Sequence, residues 1–563
     1  MPETKIPLPR EVADAYVDEY IALDPVTGTY LGVKESSSRL PDYSPAGRQA
    51  VADLARATLA KLAEAERQPG ADSDAERRCA RLLRERLTAE LGVHEGEEDL
   101  RAVGNLHTPG HAVRDVFTIT PADTEEDWAA IAERLRAVPA ALAGYQESLA
   151  LGMERKLYAG PRPTATFVEQ LTEWSDTDGD GRGWYEDFAS AGPDALRAEL
   201  DEAGRTATAA VVALRDWMRD VYAPAVEGAP DAVGRERYAR LARYFNGTDL
   251  DLDEAYAYGW SEFHRLLGEM KKEAGKVLPG AETPWVALAH LDEHGRHIEG
   301  VEEVRAWLQG LMDKAIEELD GTHFELAERV RKVESRIAPP GGAAAPYYTA
   351  PSEDFSRPGR TWLPTMGQTR FPVYDLVSTW YHEGVPGHHL QLAQWAHVAG
   401  NLSRYQATLG GVSANAEGWA LYAERLMDEL GYLTEPDERL GYLDAQMMRA
   451  VRVIIDIGMH LELEIPADSP FHPGERWTPD LAQEFFAAHS SRPADFVESE
   501  LTRYLTMPGQ AIGYKLGERA WLLGRERARE RHGDGFDLKA WHMAALSQGS
   551  LGLDDLLDEL SRL

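Results

Sequence analysis

The chain has 563 residues, and its 95 acidic side chains outnumber its 59 Lys and Arg, which gives a formal net charge of −36. Nucleic acids and anionic membranes attract clustered Lys and Arg, and the sequence has no basic tract, so we expect neither as a partner. The single cysteine, Cys79, excludes a disulfide within the chain and a zinc site built from several cysteines.

The expected location follows from the same kind of observation. The first twenty residues lack the apolar stretch of a secretory signal peptide, and no run of about 18 apolar residues occurs along the chain. A lone cysteine is typical of a reducing compartment. We therefore expect a soluble cytoplasmic protein.

Most of the chain shows the apolar spacing of amphipathic helices. Apolar residues recur every three or four positions, and the helix-favouring Ala, Leu, Glu and Arg are abundant. The clearest helical segments are residues 11–23, 50–66, 133–157 and 194–222. The best strand candidate is 361–366, followed by 369–375. We predict an all-α protein with one small β element before the segment that carries the candidate site.

Composition marks two loops, the acidic 175–183 and the Pro- and Gly-rich 338–346. The acidic loop matches only the first half of a calcium-binding EF-hand loop, so we interpret it as a surface turn. Neither loop is long enough to be a flexible linker between domains. We predict a single helical domain over 1–563, with an N-terminal helical half at 1–340 and the candidate site in 341–563.

The segment 378–395 contains the most informative motif. It places His382 and Glu383 together, then Pro386-Gly387, then His388 and a further histidine. Zinc is commonly held by neutral imidazoles and a carboxylate, with one position open for water. A glutamate beside the first ligand can take a proton from that water. The sequence therefore predicts a zinc site with Glu383 as the general base.

The spacing differs from the familiar H-E-x-x-H motif, in which the two histidines lie one helical turn apart. Six residues of ideal helix turn by about 600° and rise by about 9 Å, so His382 and His388 would face apart on a straight helix. The ring of Pro386 also clashes with the carbonyl of residue 382. We therefore predict a helix break at Pro386-Gly387 that returns a later histidine to the metal, with His388 favoured over His389.

A third ligand is expected from the helix predicted over 413–430. Glu417 lies in its first turn, and Glu424 lies seven residues later on the same face. Glu417 is the preferred ligand, because the neighbouring Gly418 would let two helices approach closely. The alternative is a first-turn glutamate that only stabilises the helix dipole.

Several segments resemble one bacterial family. They are YHEGVPGHHLQ (381–391), AEGWALYAE (416–424), RAVRVIIDIGMH (449–460), RYLTMPGQAIGYKLGE (503–518), EYIALDPVTGTYLG (19–32) and FNGTDLDLDEAYAYGWSEF (245–263). Together they resemble the bacterial domain-of-unknown-function family numbered 885 over nearly the whole chain.

The resemblance implies a mostly helical fold similar to carboxypeptidase Taq, with a deep cleft between two helical halves. It matches His382 and His388 to the two histidine ligands of such peptidases, Glu417 to the third ligand and Glu383 to the base. The inserted Pro-Gly pair is a departure from their motif.

A donor near the metal would stabilise the oxyanion that forms when water attacks an amide. Tyr514 is the preferred donor, since peptidases of the resembled kind use a tyrosine in this way. His460, four residues after Asp456 on a predicted helix, could donate to substrate. The alternative for this helix, which also carries Arg452, is a buried ion-pair network.

Three further side chains are candidates for substrate binding. Arg360, with Arg357 nearby, could bind a substrate carboxylate through two hydrogen bonds. Arg503 precedes the Pro-Gly start of a predicted helix. His389, the histidine not chosen as ligand, would contact the substrate or support a ligand.

The sequence thus favours a zinc-dependent hydrolase of peptide-like amide bonds that uses one zinc ion and acts on short peptides or small amides. Within this hypothesis, carboxypeptidase, aminopeptidase and small-amide hydrolase remain open. Two alternatives come from other classes of protein. One is a metal-stabilised binding protein without catalysis, and the other is an iron-dependent enzyme acting on a small molecule, because two histidines and a carboxylate also bind iron(II).

Overall fold

The computed structural model describes residues 6–176, 179, 181–338 and 345–563. Parts of the two predicted loops, 175–183 and 338–346, lie outside the described residues. The chain groups into two compact units. Unit 1 comprises Met1–Glu76, Arg86–Arg240 and Ser499–Pro508, and unit 2 comprises Arg77–Glu85, Leu241–Glu498 and Gly509–Leu563.

Unit 1 is built from helices. They are α1 (Pro9–Leu23), α2 (Pro25–Tyr30), α3 (Pro45–Ala65), the two ends of α4 (Asp74–Glu95), α5 (Pro109–Ile119), α6 (Glu125–Glu154), α7 (Pro161–Ser175), α8 (Trp184–Ser190), α9 (Arg197–Trp217), α10 (Ala223–Val226), the first half of α11 (Arg235–Asn246) and the end of α21 (Ala494–Thr506). The long helix α6 packs along α9, and α1 packs along α3. Leu135, Leu142 and Leu149 of α6 recur every seventh residue and are all buried in the core of this unit.

Unit 2 contains the remaining elements. Its helices are α12 (Leu252–Val277), α13 (Pro284–His294), α14 (Val301–Leu319), α15 (Val373–Glu383), α16 (His388–His397), α17 (Arg404–Ala407), α18 (Ser413–Glu429), α19 (Pro436–Leu461), α20 (Pro479–Ala488), the start of α21 (Ala494–Thr506), α22 (Gly513–His532), α23 (Leu538–Leu546) and α24 (Leu553–Leu560). The central helix α19 is buried along most of its length and packs against α12, α15 and α20.

The strands of unit 2 form two small sheets. They are β1 (His297–Glu299), β2 (Val333–Ile337), β3 (Tyr347–Thr349), β4 (Gly359–Leu363) and β5 (Arg370–Pro372). β1 pairs antiparallel with β5, with Ile298 opposite Phe371. In the second sheet β4 is central, with β2 parallel on one side and β3 antiparallel on the other.

The prediction of a mostly helical protein is confirmed. The predicted strand at 361–366 corresponds to β4, and the segment 369–375 contains β5 and the start of α15. The strands β1, β2 and β3 were not expected from the sequence. The grouping into units does not follow the expected halves at 1–340 and 341–563, since residues 241–338 belong to unit 2. In the described part of the chain, no helix is both long and apolar enough to cross a membrane.

Candidate metal centre

Helix α15 carries the first part of the candidate site. Nearly every side chain from Val373 to Glu383 is buried, which suits a short helix surrounded by other elements. The indole N–H of Trp380 donates to the hydroxyl of Ser335 on β2 at 3.0 Å. This bond fixes the rotation of α15 and so the direction in which His382 points.

The predicted helix break is confirmed. Helix α15 ends at Glu383, and α16 begins at His388. A β-carbon at Gly387 would overlap the carbonyl oxygen of His382, so only glycine fits at this close approach. The break returns the chain toward α15, and His388 then lies beside His382.

Helix α18 holds the break in place from the opposite side. The indole N–H of Trp419 is shared between the carbonyl oxygens of Pro386 and Gly387, at 2.9 and 3.1 Å. A β-carbon at Gly418 would overlap the backbone of Gly517 on α22. The close approach at Gly418 is therefore between α18 and α22, and not between α18 and the helices that carry His382 and His388, as the sequence suggested.

The structure brings His382, His388 and Glu417 together. Oε2 of Glu417 lies 3.5 Å from Nε2 of His382 and 3.4 Å from Nε2 of His388. The two imidazole rings are perpendicular, with centroids 4.8 Å apart. Within the described part of the chain, these three side chains form a group whose potential ligand atoms all lie within 4.8 Å of one another.

Two of the three separations between the potential ligand atoms suit zinc. Bonds of roughly 2.0–2.2 Å from zinc to nitrogen and oxygen place tetrahedral ligand atoms roughly 3.3–3.5 Å apart, and the observed separations from Glu417 are 3.4 and 3.5 Å. Oε2 of Glu417 is buried and has no hydrogen-bond partner among the described residues. A buried, unpartnered carboxylate oxygen facing two imidazole nitrogens is what a cation site requires.

A second carboxylate orients His382. Oε1 of Glu424 lies 2.7 Å from Nδ1 of His382, so Nδ1–H donates to Glu424 and Nε2 faces Glu417. Burial lowers the pKa of His382, but the neighbouring carboxylates of Glu417 and Glu424 outweigh it and raise that pKa to about 9. Burial opposes ionisation of Glu424, while Arg449 and His382 hold its pKa below the ordinary value.

The predicted base, Glu383, lies against the same group. It is buried, and Oε1 lies 4.0 Å from Nε2 of His382. Burial raises the pKa of Glu383, although the nearby His382 and His388 act against this rise. A raised pKa makes a carboxylate a better proton acceptor near neutral pH, as general-base catalysis requires.

Comparison with known proteins identifies the family. The model of the family "Bacterial protein of unknown function (DUF885)" matches residues 25–560. The chain belongs to this family. The membership expected from the sequence motifs is therefore confirmed, whereas similarity to carboxypeptidase Taq stays a prediction. No curated protein matches the chain.

Two solved structures share the fold over almost the full length of this family member. One is a candidate lipoprotein from Colwellia psychrerythraea, with a TM-score of 0.80 and 21% identity over 98% of each chain. The other is a candidate lipoprotein of unknown function from Shewanella oneidensis, with a TM-score of 0.73 and 19% identity over 98% of each chain. At these identities the similarity shows the fold alone.

His389 does not join the group. Its ring is completely buried, with Nε2 2.7 Å from the carbonyl oxygen of Val330 and Nδ1 2.9 Å from the hydroxyl of Tyr348. Burial lowers the pKa of His389 to about 4, so the ring is neutral, donates from Nε2 and accepts from Tyr348. Both nitrogens are occupied, so the structure gives His389 a role in holding β3 instead of the expected contact with substrate.

The guanidinium of Arg360 is already bound to a carboxylate of the protein, whereas the sequence suggested that it could bind a substrate carboxylate. It lies on β4, and its Nε is 3.0 Å from a carboxylate oxygen of Glu334 on β2. The guanidinium of the neighbouring Arg357 has no ion pair with any described carboxylate, and it lies near Tyr348, whose pKa it lowers against the stronger effect of burial. The geometry therefore favours Arg357 over Arg360 as a group free to bind a substrate carboxylate.

The two expected donors differ in exposure. Tyr514 on α22 is half-buried, with the guanidinium of Arg452 over its ring at 4.8 Å from the centroid. It precedes Gly517 by three residues, and Gly517 contacts α18 next to Glu417. His460 is completely buried on α19, 3.7 Å from Asp456, with no surface that could meet a substrate. The structure therefore supports a role for His460 within the buried core of polar side chains on α19.

Arg503 lies in the other unit. The metal group belongs to unit 2, whereas Arg503 belongs to unit 1 and forms an ion pair with Glu500 at 2.7 Å. Its expected contact with substrate stays a prediction.

Sequence reasoning missed the partners that orient the ligands. It noted Glu424 only as a second-choice ligand, although its position seven residues after Glu417 already placed it on the same face. It gave no role to Gln446, which donates to Glu424 at 3.3 Å, or to Ser378, which donates to the same oxygen at 3.0 Å. Gln446 belongs to no local motif, because it acts across a helix–helix contact, whereas Ser378 lies one helical turn before His382 in the segment 378–395.

Proposed function

We propose that this protein is a zinc-dependent hydrolase of peptide-like amide bonds, acting as an exopeptidase or oligopeptidase on short peptides. The observation that carries the proposal is the grouping of His382, His388 and Glu417 beside the buried carboxylate of Glu383. A site that only stabilises the fold needs no such base, and this speaks against a purely structural metal.

Each residue of the candidate site has a separate proposed role. His382, His388 and Glu417 would hold the zinc ion, which when bound acts as a Lewis acid toward a carbonyl and makes water more acidic. Glu383 accepts the proton of the attacking water and passes it to the amine that leaves. Tyr514 is the proposed donor to the oxygen of the reacting carbonyl, since its half-exposed phenol lies on the helix that contacts α18.

The choice of substrate follows from the positive charge near β3. Glu334, the carboxylate that acts on Arg357, is already paired with Arg336 and Arg360, and a guanidinium can bind a further carboxylate through two hydrogen bonds. We therefore favour peptides with a free carboxylate near the bond that is cleaved. The proposal also includes a cytoplasmic location. The descriptions of both structural relatives as candidate lipoproteins favour a cell-envelope location instead, and fractionation of cells followed by immunodetection decides between them.

Elemental analysis of the purified protein tests the metal part of the proposal. We expect about one zinc per chain after dialysis, and loss of that zinc in His382→Ala. Iron at the same ratio would support the alternative of an iron-dependent enzyme, since two imidazoles and a carboxylate suit iron(II) as well. A wild-type protein that retains neither metal would contradict the proposal.

A further inference from the structure

A buried chain of hydrogen bonds runs from the candidate metal centre to a lysine on another helix. It starts at His382 and passes through Glu424 on α18 and Gln446 on α19 to Lys515 on α22. Of these four side chains, none is more than 5% exposed. A polar chain this deep in the protein is stable only if each member has its partners in place.

Lys515 is held by three acceptors. Its ammonium lies 3.0 Å from an oxygen of Glu262 on α12 and 3.0 Å from Oε1 of Gln446, and it also pairs with Glu518. An ammonium has three N–H donors and no acceptor, so these contacts use every donor that Lys515 has. The position of the ammonium is thereby fixed by α12, α19 and its own helix.

The lysine decides which way the amide of Gln446 faces. Since Lys515 can only donate, the amide oxygen of Gln446 must face it, and the amide nitrogen then points toward Glu424. Nε2 of Gln446 lies 3.3 Å from Oε2 of Glu424. A flipped amide would place N–H groups against the ammonium and a carbonyl oxygen against the carboxylate, and both contacts are repulsive.

The amide in turn helps to fix the carboxylate that holds His382. Oε2 of Glu424 accepts from Gln446 and from Ser378, which leaves Oε1 for Nδ1 of His382 at 2.7 Å. Arg449 adds a positive charge, 3.7 Å from Oε1 of Glu424. With Nδ1 committed, Nε2 of His382 is the nitrogen presented to Glu417.

We propose that Lys515 and Gln446 are positioning residues of the metal centre, which fix Glu424 and, through it, the orientation of the His382 ring. The inference rests on the metal site of the proposed function. If the Glu262–Lys515–Glu518 cluster had a purely structural role, it would stabilise the helices, and a substitution of Gln446 would leave the metal site unchanged.

The zinc dissociation constants of a set of variants test the proposal. Gln446→Met removes the link while keeping a similar volume, and we expect the dissociation constant to rise by about 10-fold or more. The pair Lys515→Met with Glu518→Gln removes the ammonium without leaving Glu518 as an uncompensated charge, and we expect a similar rise. Adding Gln446→Met to that pair should give no further rise, because both changes act through one chain.

The matched control is Gln394→Met on α16. Gln394 is also a buried glutamine with one side-chain hydrogen bond, to Ser547 at 3.0 Å, and it makes no contact with Glu424. We expect this control to bind zinc as the wild type does. A folded Gln446→Met variant with the wild-type dissociation constant would overturn the proposal. A triple variant whose dissociation constant rises by the product of the separate effects would also overturn it.

A structural readout separates this inference from the proposed function. If the wild type binds no zinc, the proposed function fails, and the positioning role is then tested by crystal structures of the metal-free wild type and Gln446→Met. We expect the carboxylate of Glu424 and the ring of His382 to change orientation in the variant. Unchanged positions of both side chains would overturn the positioning role.

Discussion

At the scale of single residues, the ring nitrogens of three neighbouring histidines have different partners. His382 uses Nδ1 for Glu424, His389 uses both nitrogens for backbone and tyrosine, and His388 directs Nε2 at Glu417. These partners distinguish two candidate metal ligands, His382 and His388, from the structural residue His389 within a span of eight positions.

Single alanine variants test this division. We expect His388→Ala to lose most of its zinc affinity while remaining folded, because the contacts described for its ring are with His382 and Glu417 of the metal group. We expect His389→Ala to retain zinc but to lose about 2 kcal/mol or more of stability, since a buried carbonyl and a hydroxyl lose their partner. Zinc titration and urea unfolding measure the two effects. If His389→Ala had normal stability but did not bind zinc, the assignment of His388 and His389 would be reversed.

A second pair of variants tests how the substrate is bound. Arg357→Gln should raise KM for peptides with a free terminal carboxylate by about 10- to 100-fold, because one charge-assisted contact is lost. The same peptides with an amidated end should show no such change. Arg360→Gln is the matched control, since Arg360 is already engaged by Glu334. A larger effect of Arg360→Gln on the free-carboxylate peptides would contradict the choice of Arg357.

Much of the residue-level site could be predicted from the sequence, because the ligands and base fall in two short motifs around His382 and Glu417. Their supporting groups could not. Tyr348 meets His389 from 41 positions away, and Lys515 meets Gln446 from 69 positions away. Nothing in the local spacing of either residue indicates its partner.

At the scale of elements, the break between α15 and α16 forms the site. The amide of Gly387 donates to the carbonyl of Tyr381 at 3.0 Å, and Trp419 holds the two carbonyls of the break. The break was predictable because proline and glycine are the strongest local signals in a helix. Its anchor on α18 was not, since an indole donor far along the chain leaves no local pattern.

Adding a methyl group at the break tests its role. Gly387→Ala should displace the carbonyl of His382 or the start of α16, so we expect both lower stability and a zinc dissociation constant at least 10-fold higher. The control is Gly268→Ala, at an exposed and unobstructed position of α12, which should gain about 0.5–1 kcal/mol. Thermal unfolding and zinc titration measure both. Normal zinc binding by Gly387→Ala would show that the break does not set the position of His388.

At the scale of the whole molecule, the helical content was predictable and the grouping was not. The helical spacing of apolar residues is a local property, whereas the two units are discontinuous in sequence. Unit 1 includes the distant segment Ser499–Pro508, and unit 2 includes Arg77–Glu85. Short strands such as β3, with three residues, also carry too few positions to show alternation.

Buried neutral histidines make the stability of the whole molecule sensitive to acid. Burial lowers the pKa of His111 and His389 to about 4 and that of His542 to about 3, compared with 6.5 for an ordinary histidine. Below pH 6.5 these three histidines therefore bind more protons in the unfolded chain than in the folded chain. Stability should fall as the pH drops from 6.5 toward 4, by about 1 kcal/mol per histidine at pH 5.5.

His111→Gln provides the corresponding test in unit 1. The wild-type ring accepts from Thr108 and donates to Gln170, and glutamine keeps polar groups there without titrating. We expect a smaller loss of unfolding free energy between pH 7 and pH 5.5 than in the wild type, by about 1 kcal/mol. Urea unfolding at the two pH values measures it. An identical loss in both proteins would show that His111 does not titrate as its burial implies.

The central claim is that the grouped residues hydrolyse peptide bonds with Glu383 as the base. The most direct test is digestion of a library of short peptides by zinc-loaded protein, read by mass spectrometry, with Glu383→Gln at the same zinc content beside it. We expect cleavage by the wild type and a rate lower by about 10²–10⁴-fold or more in the variant. No cleavage by zinc-loaded wild type, or equal cleavage by Glu383→Gln, would contradict the claim.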